Sequence, residues 1–233
     1  MRINRYIAAS GLCSRRQADR MIQEGRVRVN GQLASPGLII GPKDRVMVDG
    51  KLLSPLPAGQ EVILAFNKPP GITCTADPQR KDNIIDFINY PERIFTIGRL
   101  DRDSRGLILL TNDGKLAHRI MHSSFGHEKE YEVQVDKKVD ETFLESMRQG
   151  VWIGGQKTLP CRAWKTGEKT FHLALKQGLN RQIRRMCQAL GYQVLDLIRV
   201  RILHITLGSL PQGAYRELGY KEKEELLRLT DLG

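Results

Sequence analysis

Apolar positions along the chain follow two different periods, and each period predicts its own elements. Between Ser14 and Gly25, Ala18, Met21 and Ile22 recur at the spacing of one helix face, and Ser14 with Gln17 has the form of a capping box. A helix is predicted from Arg15 to Glu24, stopped by Gly25 in the left-handed conformation. Ile3 and Ile7 mark a shorter helix before it, ending near Ser10-Gly11. The period then falls to two. Val27 and Val29 alternate with Arg26 and Arg28, Asn30-Gly31 is a strong hairpin signal, and Val46 and Val48 alternate before a second such turn at Asp49-Gly50. In KLLSPLPAGQ, prolines and a glycine interrupt both periods. We therefore expect a small module of helices and strands over residues 1–53, a linker over 54–61 and a second domain over 62–233.

The second domain mixes short apolar strands and helical stretches in irregular order. Val62 to Phe66 reads as a strand that must end at Asn67-Lys68-Pro69-Pro70-Gly71, because proline donates nothing to a ladder. Phe95 to Ile97, Leu107 to Leu110, Tyr131 to Val135 and Phe171 to Leu175 read as further strands, and Lys115 to His122 as a helix after the Asn112-Asp113-Gly114 turn. In QGLNRQIRRMC and beyond, Ile183, Met186, Cys187 and Leu190 define the buried face of a helix expected to be capped by Asn180 and stopped by Gly191. At about 100° per residue, Arg184 lies at the border of that face, whereas Arg181 and Arg185 point further toward solvent, where they suit phosphate contacts. The expected fold class is α+β, built around a mixed, mainly antiparallel sheet.

With 233 residues, 40% of them hydrophobic, the chain can bury at least one proper core. Charge changes the picture more. The 37 Lys and Arg against 26 Asp and Glu give a formal net charge of +11. Clustered cations gain affinity for polyanions by releasing the counterions condensed on phosphates, so nucleic acid is the leading partner class. No apolar run reaches the roughly 18 residues of a membrane span. Met1-Arg2-Ile3-Asn4-Arg5 opens into polar sequence instead of the apolar stretch of a secretory signal, so no membrane association and a cytoplasmic location are expected. Cys13, Cys74, Cys161 and Cys187 stand far apart, which argues against a disulfide framework and a cysteine zinc site. His118 and His122 have ligand spacing, but no third ligand follows at a motif distance. Neither a glycine-rich nucleotide loop nor a Gly-x-Ser-x-Gly elbow is present. Neither metal nor cofactor is expected.

The most crowded charge pattern is GRLDRDSRGLILLTNDG, Gly98 to Gly114, in which Arg99, Asp101, Arg102, Asp103 and Arg105 run directly into an apolar strand. On spacing alone Asp101 is a turn residue, an ion-pair partner of Arg99 or Arg105, or a catalyst. Other motifs bear on the choice. SGLCSRRQADRMIQEGRVRVNG and the later PKDRV resemble the alpha-L motif, a small RNA-binding module first described in a small-subunit ribosomal protein. By that analogy Arg15, Arg16 and Arg20 lie on RNA backbone. GRLDRDSRGLILLTNDG, NKPPGI, EKEYEV and QGLNRQIRRMC, all following that module, resemble the RsuA/RluB/RluE/RluF branch of the pseudouridine synthases over nearly the whole chain. Ser104 stands where many members carry Thr, keeping the hydroxyl.

This resemblance implies a cofactor-free isomerase that detaches uridine from its ribose at N1, turns the base and rejoins it through C5. It implies Asp101 as the nucleophile at ribose C1′ or as the base that opens a glycal route, and Arg184 as its ion-pair partner. Tyr131 is implied as the aromatic residue that stacks on the target base and takes the C5 proton, and Leu197 as a pocket wall. Arg99, Arg181, Arg185 and Lys68 are further expected substrate contacts. The implied partner is structured RNA, chiefly a ribosomal large-subunit stem-loop, with transfer RNA as a second candidate, bound by a monomer. The competing reading is a non-catalytic RNA-binding or ribosome-assembly protein of the same fold, which would have no need of Asp101, Tyr131 and Arg184 together.

Overall fold

The computed structural model describes residues 1–54, 61–121 and 126–231, so that His122 and the middle of the expected linker lie outside the described residues. The chain forms two compact units. One comprises Met1–Val62 with Tyr90–Ile94 and Asn112–Gly114; the other holds Ile63–Asn89, Phe95–Thr111 and the chain from Lys115 onward.

In the first unit, helix α1 (Ile3–Ala9) and helix α2 (Arg15–Gln23) precede strands β1 (Val27–Val29), β2 (Gln32–Leu33), β3 (Val46–Val48) and β4 (Lys51–Leu52). The Ser14 and Gln17 side chains satisfy each other's backbone N–H groups at the start of α2, which is the predicted capping box. Gly25 follows the helix at φ +71. Both predicted hairpin turns form with left-handed pairs, Asn30-Gly31 at φ 52 and 85 and Asp49-Gly50 at φ 49 and 77, the geometry that matches strand twist. Lys51 and Leu52 pair with β3, so KLLSPLPAGQ begins as strand instead of breaking at once. Ile3, Ile7, Ala18, Ile22, Val27 and Val46 fill this unit's core, and the helix face predicted from Ala18, Met21 and Ile22 is the buried one.

The second unit runs β5 (Ile63–Lys68), α3 (Ile84–Ile88), β6 (Phe95–Ile97), β7 (Arg105–Thr111), α4 (Gly114–Met121), β8 (Lys129–Val135), α5 (Glu141–Gln149), β9 (Trp152–Ile153), β10 (Gln156–Lys157), β11 (Arg162–Lys165), β12 (Thr170–Leu175), α6 (Gln182–Ala189), β13 (Val194–Ile202), β14 (Ile205–Thr206), β15 (Tyr215–Glu217) and α7 (Tyr220–Leu229). Its main sheet has the order β11-β12-β8-β13-β7-β5-β15, with β14 on β13 and β6 on β7. The β7–β13 pair is parallel and the other pairs are antiparallel, as the composition of elements led us to expect. Strand β7 is central, so Leu107, Ile108, Leu109 and Leu110 are all fully buried, which explains an apolar run without alternation. On one side α4 and α7 cover β5 and β7 through Leu116, Ile120 and Leu226. Elsewhere α5 and α6 pack Phe143, Met147, Met186 and Cys187 onto β8, β12 and β13. Asn67 and Lys68 stay in the ladder of β5, opposite Leu107 and Gly106, and the turn expected at Asn67 begins only at Pro69.

Where β7 and β13 run parallel, Gly106 has φ +102, and an added Cβ would stand 2.4 Å from the carbonyl oxygen and 2.7 Å from the nitrogen of Arg199. Both neighbours are backbone and have nowhere to move. Gly106→Ala is therefore expected to destabilise by about 3 kcal/mol or more, combining left-handed strain with overpacking. For a chain of this size that is a drop of roughly 6–12 °C in Tm, and an unchanged melting curve would contradict the close approach.

Candidate active site

The segment between β6 and β7 is a tight turn built to present one side chain. Gly98 takes φ +78, and the Asp101 carbonyl accepts the Ser104 N–H at 3.1 Å. Asp101 is thus a turn residue by its backbone, while its carboxylate remains about one-third exposed (32%) on a cavity.

Two buried cations hold this turn from either side of the aspartate. Lys68 is fully buried, and its Nζ donates to the carbonyls of Pro69 (2.8 Å), Ile72 (2.8 Å) and Arg102 (3.2 Å). The Gly71 N–H bonds the same Arg102 carbonyl at 2.8 Å. Lys68 is therefore not the RNA contact expected from sequence: three carbonyls take its three donors, and burial pushes its pKa below the ordinary lysine value. On the other side Arg199, 2% exposed, donates from Nε to the Leu107 carbonyl at 2.6 Å and from Nη1 to the Arg99 carbonyl at 3.4 Å.

Arg199 reaches the interior because β13 is bulged. Its register against β8 runs Arg199 to Tyr131 and then Arg201 to Glu130, skipping Val200. Two arginines that strict alternation would put on one face are sent to opposite faces, Arg201 outward to Glu128 and Glu130 at 2.5 and 2.8 Å. A second irregularity, at Leu195, separates Val194 from Asp196 in the register and lets Leu197 face Val133, 5% exposed, on the cavity wall.

The arginine motif departs from expectation at two points. Asn180 does not cap α6. Arg181 occupies the cap position in the left-handed region (φ 48), and the Gln182 side chain instead accepts the Leu179 N–H at 3.0 Å. This turn brings Arg181 Nη1 to 3.8 Å from Asp101 Oδ2, so the aspartate's ion-pair partner is Arg181 and not Arg184. Arg184 instead donates to the Val194 carbonyl at 3.3 Å and to the Ser104 hydroxyl at 3.4 Å, supporting the turn through its last residue. Arg105, a candidate partner on spacing, pairs with Asp196 at 2.6 Å. Arg185 lies half-buried over Gly154, whose hypothetical Cβ would touch its Nη2 at 2.1 Å. The predicted stop at Gly191 (φ +80) and the buried face of Ile183, Met186 and Cys187 are both observed.

The cavity, about 920 Å³, is lined by Arg99, Asp101, Tyr131, Arg181, Arg184 and Leu197, all foreseen from sequence, and also by Lys129 and Arg199, which were not. Lys68 and Arg185 are not among its lining residues. Its size is at the upper end for ligand pockets. Asp101 supplies the sole carboxylate among the described lining residues, against the cations Arg99, Lys129, Lys176, Arg181, Arg184 and Arg199. Burial, aided by the Arg199 charge, pulls the Lys129 ammonium down to about 8. On α2 of the first unit, Arg15, Arg16 and Arg20 are exposed and form no ion pair among the described residues, whereas Arg26 is held by Asp49 at 2.7 Å and Glu24 at 3.1 Å. The four cysteines are free, and burial raises Cys161 to about 11 and Cys187 to about 12, as inert core thiols.

One carboxylate among several cations in a cavity with an aromatic wall, on a mixed sheet, offers a nucleophile or base to an anionic ligand. Residues 62–189 match the family model described as RNA pseudouridylate synthase, and residues 1–46 match the S4 domain. The chain belongs to the RsuA/RluB/RluF family of pseudouridine synthases, which isomerise uridine to pseudouridine in RNA. It is 46% identical over 231 residues to the dual-specificity RNA pseudouridine synthase RluF of Escherichia coli strain K12, covering 99% of this chain and 80% of that protein. To ribosomal large subunit pseudouridine synthase B of Bacillus subtilis strain 168 it is 34% identical over 241 residues, covering 100% and 98%. A crystal structure of a pseudouridylate synthase superposes with a TM-score of 0.72 at 31% identity, covering 97% of this chain and 99% of that one.

Proposed function

We propose that Asp101 is the group that opens the C1′–N1 bond of a target uridine, that Tyr131 stacks on the base and accepts the C5 proton, and that Leu197 limits the pocket. The observation that carries this reading is that Asp101 is the sole carboxylate among the described lining residues, on a turn that two buried cations hold. Arg181 orients the carboxylate, and Arg184 supports the same turn through Ser104. Arg99, exposed at the rim, contacts the flanking phosphates. No cofactor enters the reaction, since the base itself is the migrating group.

The substrate in this reading is structured RNA, chiefly a stem-loop of large-subunit ribosomal RNA. Transfer RNA is the second candidate because RNA shape governs target choice and its loops are structured. Loops and bulges suit it, since a base must leave its stack to reach Asp101 and backbone binding offsets the unstacking cost, about a few kcal/mol. The module over 1–53, joined through 54–61 to a catalytic domain over 62–233, supplies that binding through Arg15, Arg16 and Arg20. We place the enzyme in the cytoplasm as a monomer; no helix among the described residues is long and apolar enough to cross a membrane.

Ribosomal and transfer RNA tritiated at C5 of uridine test the assignment, because isomerisation releases that tritium and binding does not. Release from neither RNA would overturn the substrate assignment. Tyr131→Phe keeps the stacking ring and removes the phenolic oxygen. Its expected result is unchanged RNA affinity with tritium release slowed about 10²-fold or more in single turnover. Unchanged release would confine Tyr131 to stacking.

A further inference from the structure

Lys129 and Arg199 line the cavity, yet among the described residues neither has a carboxylate partner. Arg199 Nη2 is shut from solvent without a hydrogen-bond acceptor, and the one bond of Lys129 Nζ is a long 3.4 Å contact to the His127 carbonyl. Burying an unpaired cation costs several kcal/mol, and two side by side repel each other as well. Such an arrangement favours a ligand that brings negative charge to this wall. The exposed cations at the rim, Arg99 and Arg181, suit phosphates; a half-buried lysine backed by a buried arginine suits charge that arises inside the cavity.

The isomerisation generates such a charge. When the C1′–N1 bond breaks, its electron pair stays with the base, and the neutral uracil becomes an anion delocalised over N1 and the carbonyl oxygens. At the same moment an Asp101 oxygen bonds C1′ or, in the glycal route, takes the C2′ proton. Later the C5–C1′ bond forms, the carboxylate is regenerated, C5 gives up its proton and N1 gains one. No electrons are gained or lost overall.

We propose that Lys129, backed by Arg199, is the electrostatic partner of the detached uracil anion. Lys129 and Tyr131 lie two positions apart on β8, so their side chains share one face at roughly 7 Å spacing. Arg199 stands opposite Tyr131 across β13, completing a wall beside a base stacked on that ring. The bound uridine is neutral and the departing base is not, so this wall stabilises the transition state more than the ground state, which is the condition for catalysis. The Lys129 pKa, pulled down to about 8, has the same origin: burial first, and then the charge of Arg199. Arg181 and Arg184 do not substitute for it, since Arg181 is engaged by Asp101 and Arg184 by Val194 and Ser104.

The proposal rests on the C1′–N1 cleavage of the reading above, and its test separates the two. Full-length Lys129→Met keeps the apolar stem and removes the charge; Lys129→Gln is the second variant should the first fold poorly, and Lys129→Arg keeps the charge. Each is given a stem-loop carrying uridine or 5-fluorouridine at the target position, and consumption of the target nucleoside is followed in single turnover with saturating enzyme. Fluorine stabilises the base anion by itself, so the reaction should depend less on the lysine. The expected result is a loss of roughly 10²-fold on uridine for Lys129→Met, a several-fold smaller loss on 5-fluorouridine, RNA affinity within about twofold of the parent, and recovery of most of the rate in Lys129→Arg. Equal losses on the two substrates, or a loss confined to affinity, would overturn the proposal. Asp101→Asn decides the carboxylate reading separately, because the ratio of the two substrates' rates reports charge on the leaving base whichever group opens the bond.

Discussion

Asp101→Asn is expected to remove isomerisation almost completely, by on the order of 10⁴- to 10⁶-fold, while RNA affinity changes by less than about threefold. Asparagine has the size of aspartate but neither attacks C1′ nor takes a proton from the sugar. The surroundings predict that little else changes. The turn is fixed by backbone groups, through the Ser104 N–H on the Asp101 carbonyl and through Lys68 and Arg199 on the carbonyls of Arg102, Arg99 and Leu107. What is lost besides charge is a 3.8 Å pair with an Arg181 side chain that is 46% exposed, worth at most about 1 kcal/mol. Tritium release from C5-labelled RNA, measured beside filter binding and a thermal melt, checks the claim. Turnover near the parent rate in a folded variant would remove Asp101 from the chemistry.

The second large effect concerns affinity. Replacing Arg15, Arg16 and Arg20 together by Gln should lower the slope of log affinity against log salt by roughly two to three units, since each phosphate that is no longer neutralised takes away about 0.7 to 0.9. The helix should survive. All three side chains are exposed and outside any ion pair among the described residues, the Ser14–Gln17 capping box is untouched, and Gln is nearly as good a helix former as Arg. With enzyme saturating, the single-turnover rate should match the parent, because Asp101, Tyr131 and Lys129 belong to the other unit. An unchanged salt slope would show that this helix does not lie on RNA backbone.

Sequence by itself determined the features whose causes lie within a few residues. The capping box of α2, the left-handed turns at Asn30-Gly31 and Asp49-Gly50, the buried face of α6 and the unalternating burial of β7 each follow from spacing and from glycine or asparagine at positive φ. The motif resemblance added the class of chemistry, and the fold gathers Asp101, Tyr131, Arg184 and Leu197 around one cavity. Tertiary structure alone decided who partners whom. Lys68 reads as a basic loop residue, but its position opposite Gly106 in the ladder buries it under three carbonyls, one of them 34 residues away. Arg181 takes the ion-pair role expected of Arg184 because it stands in the left-handed region before α6 instead of inside the helix, while Arg184 is held by Val194 and Ser104. Lys129 acquires its low pKa only from burial beside Arg199, which is 70 residues later in the chain. Arg199 and Arg201 alternate in sequence as if to face the same way, and the skip at Val200 sends one into the cavity and the other to the outer face. A bulge is set by the competition between twist, register and packing across several strands, so the two-residue period that makes a strand legible is what conceals the side chain it re-aims.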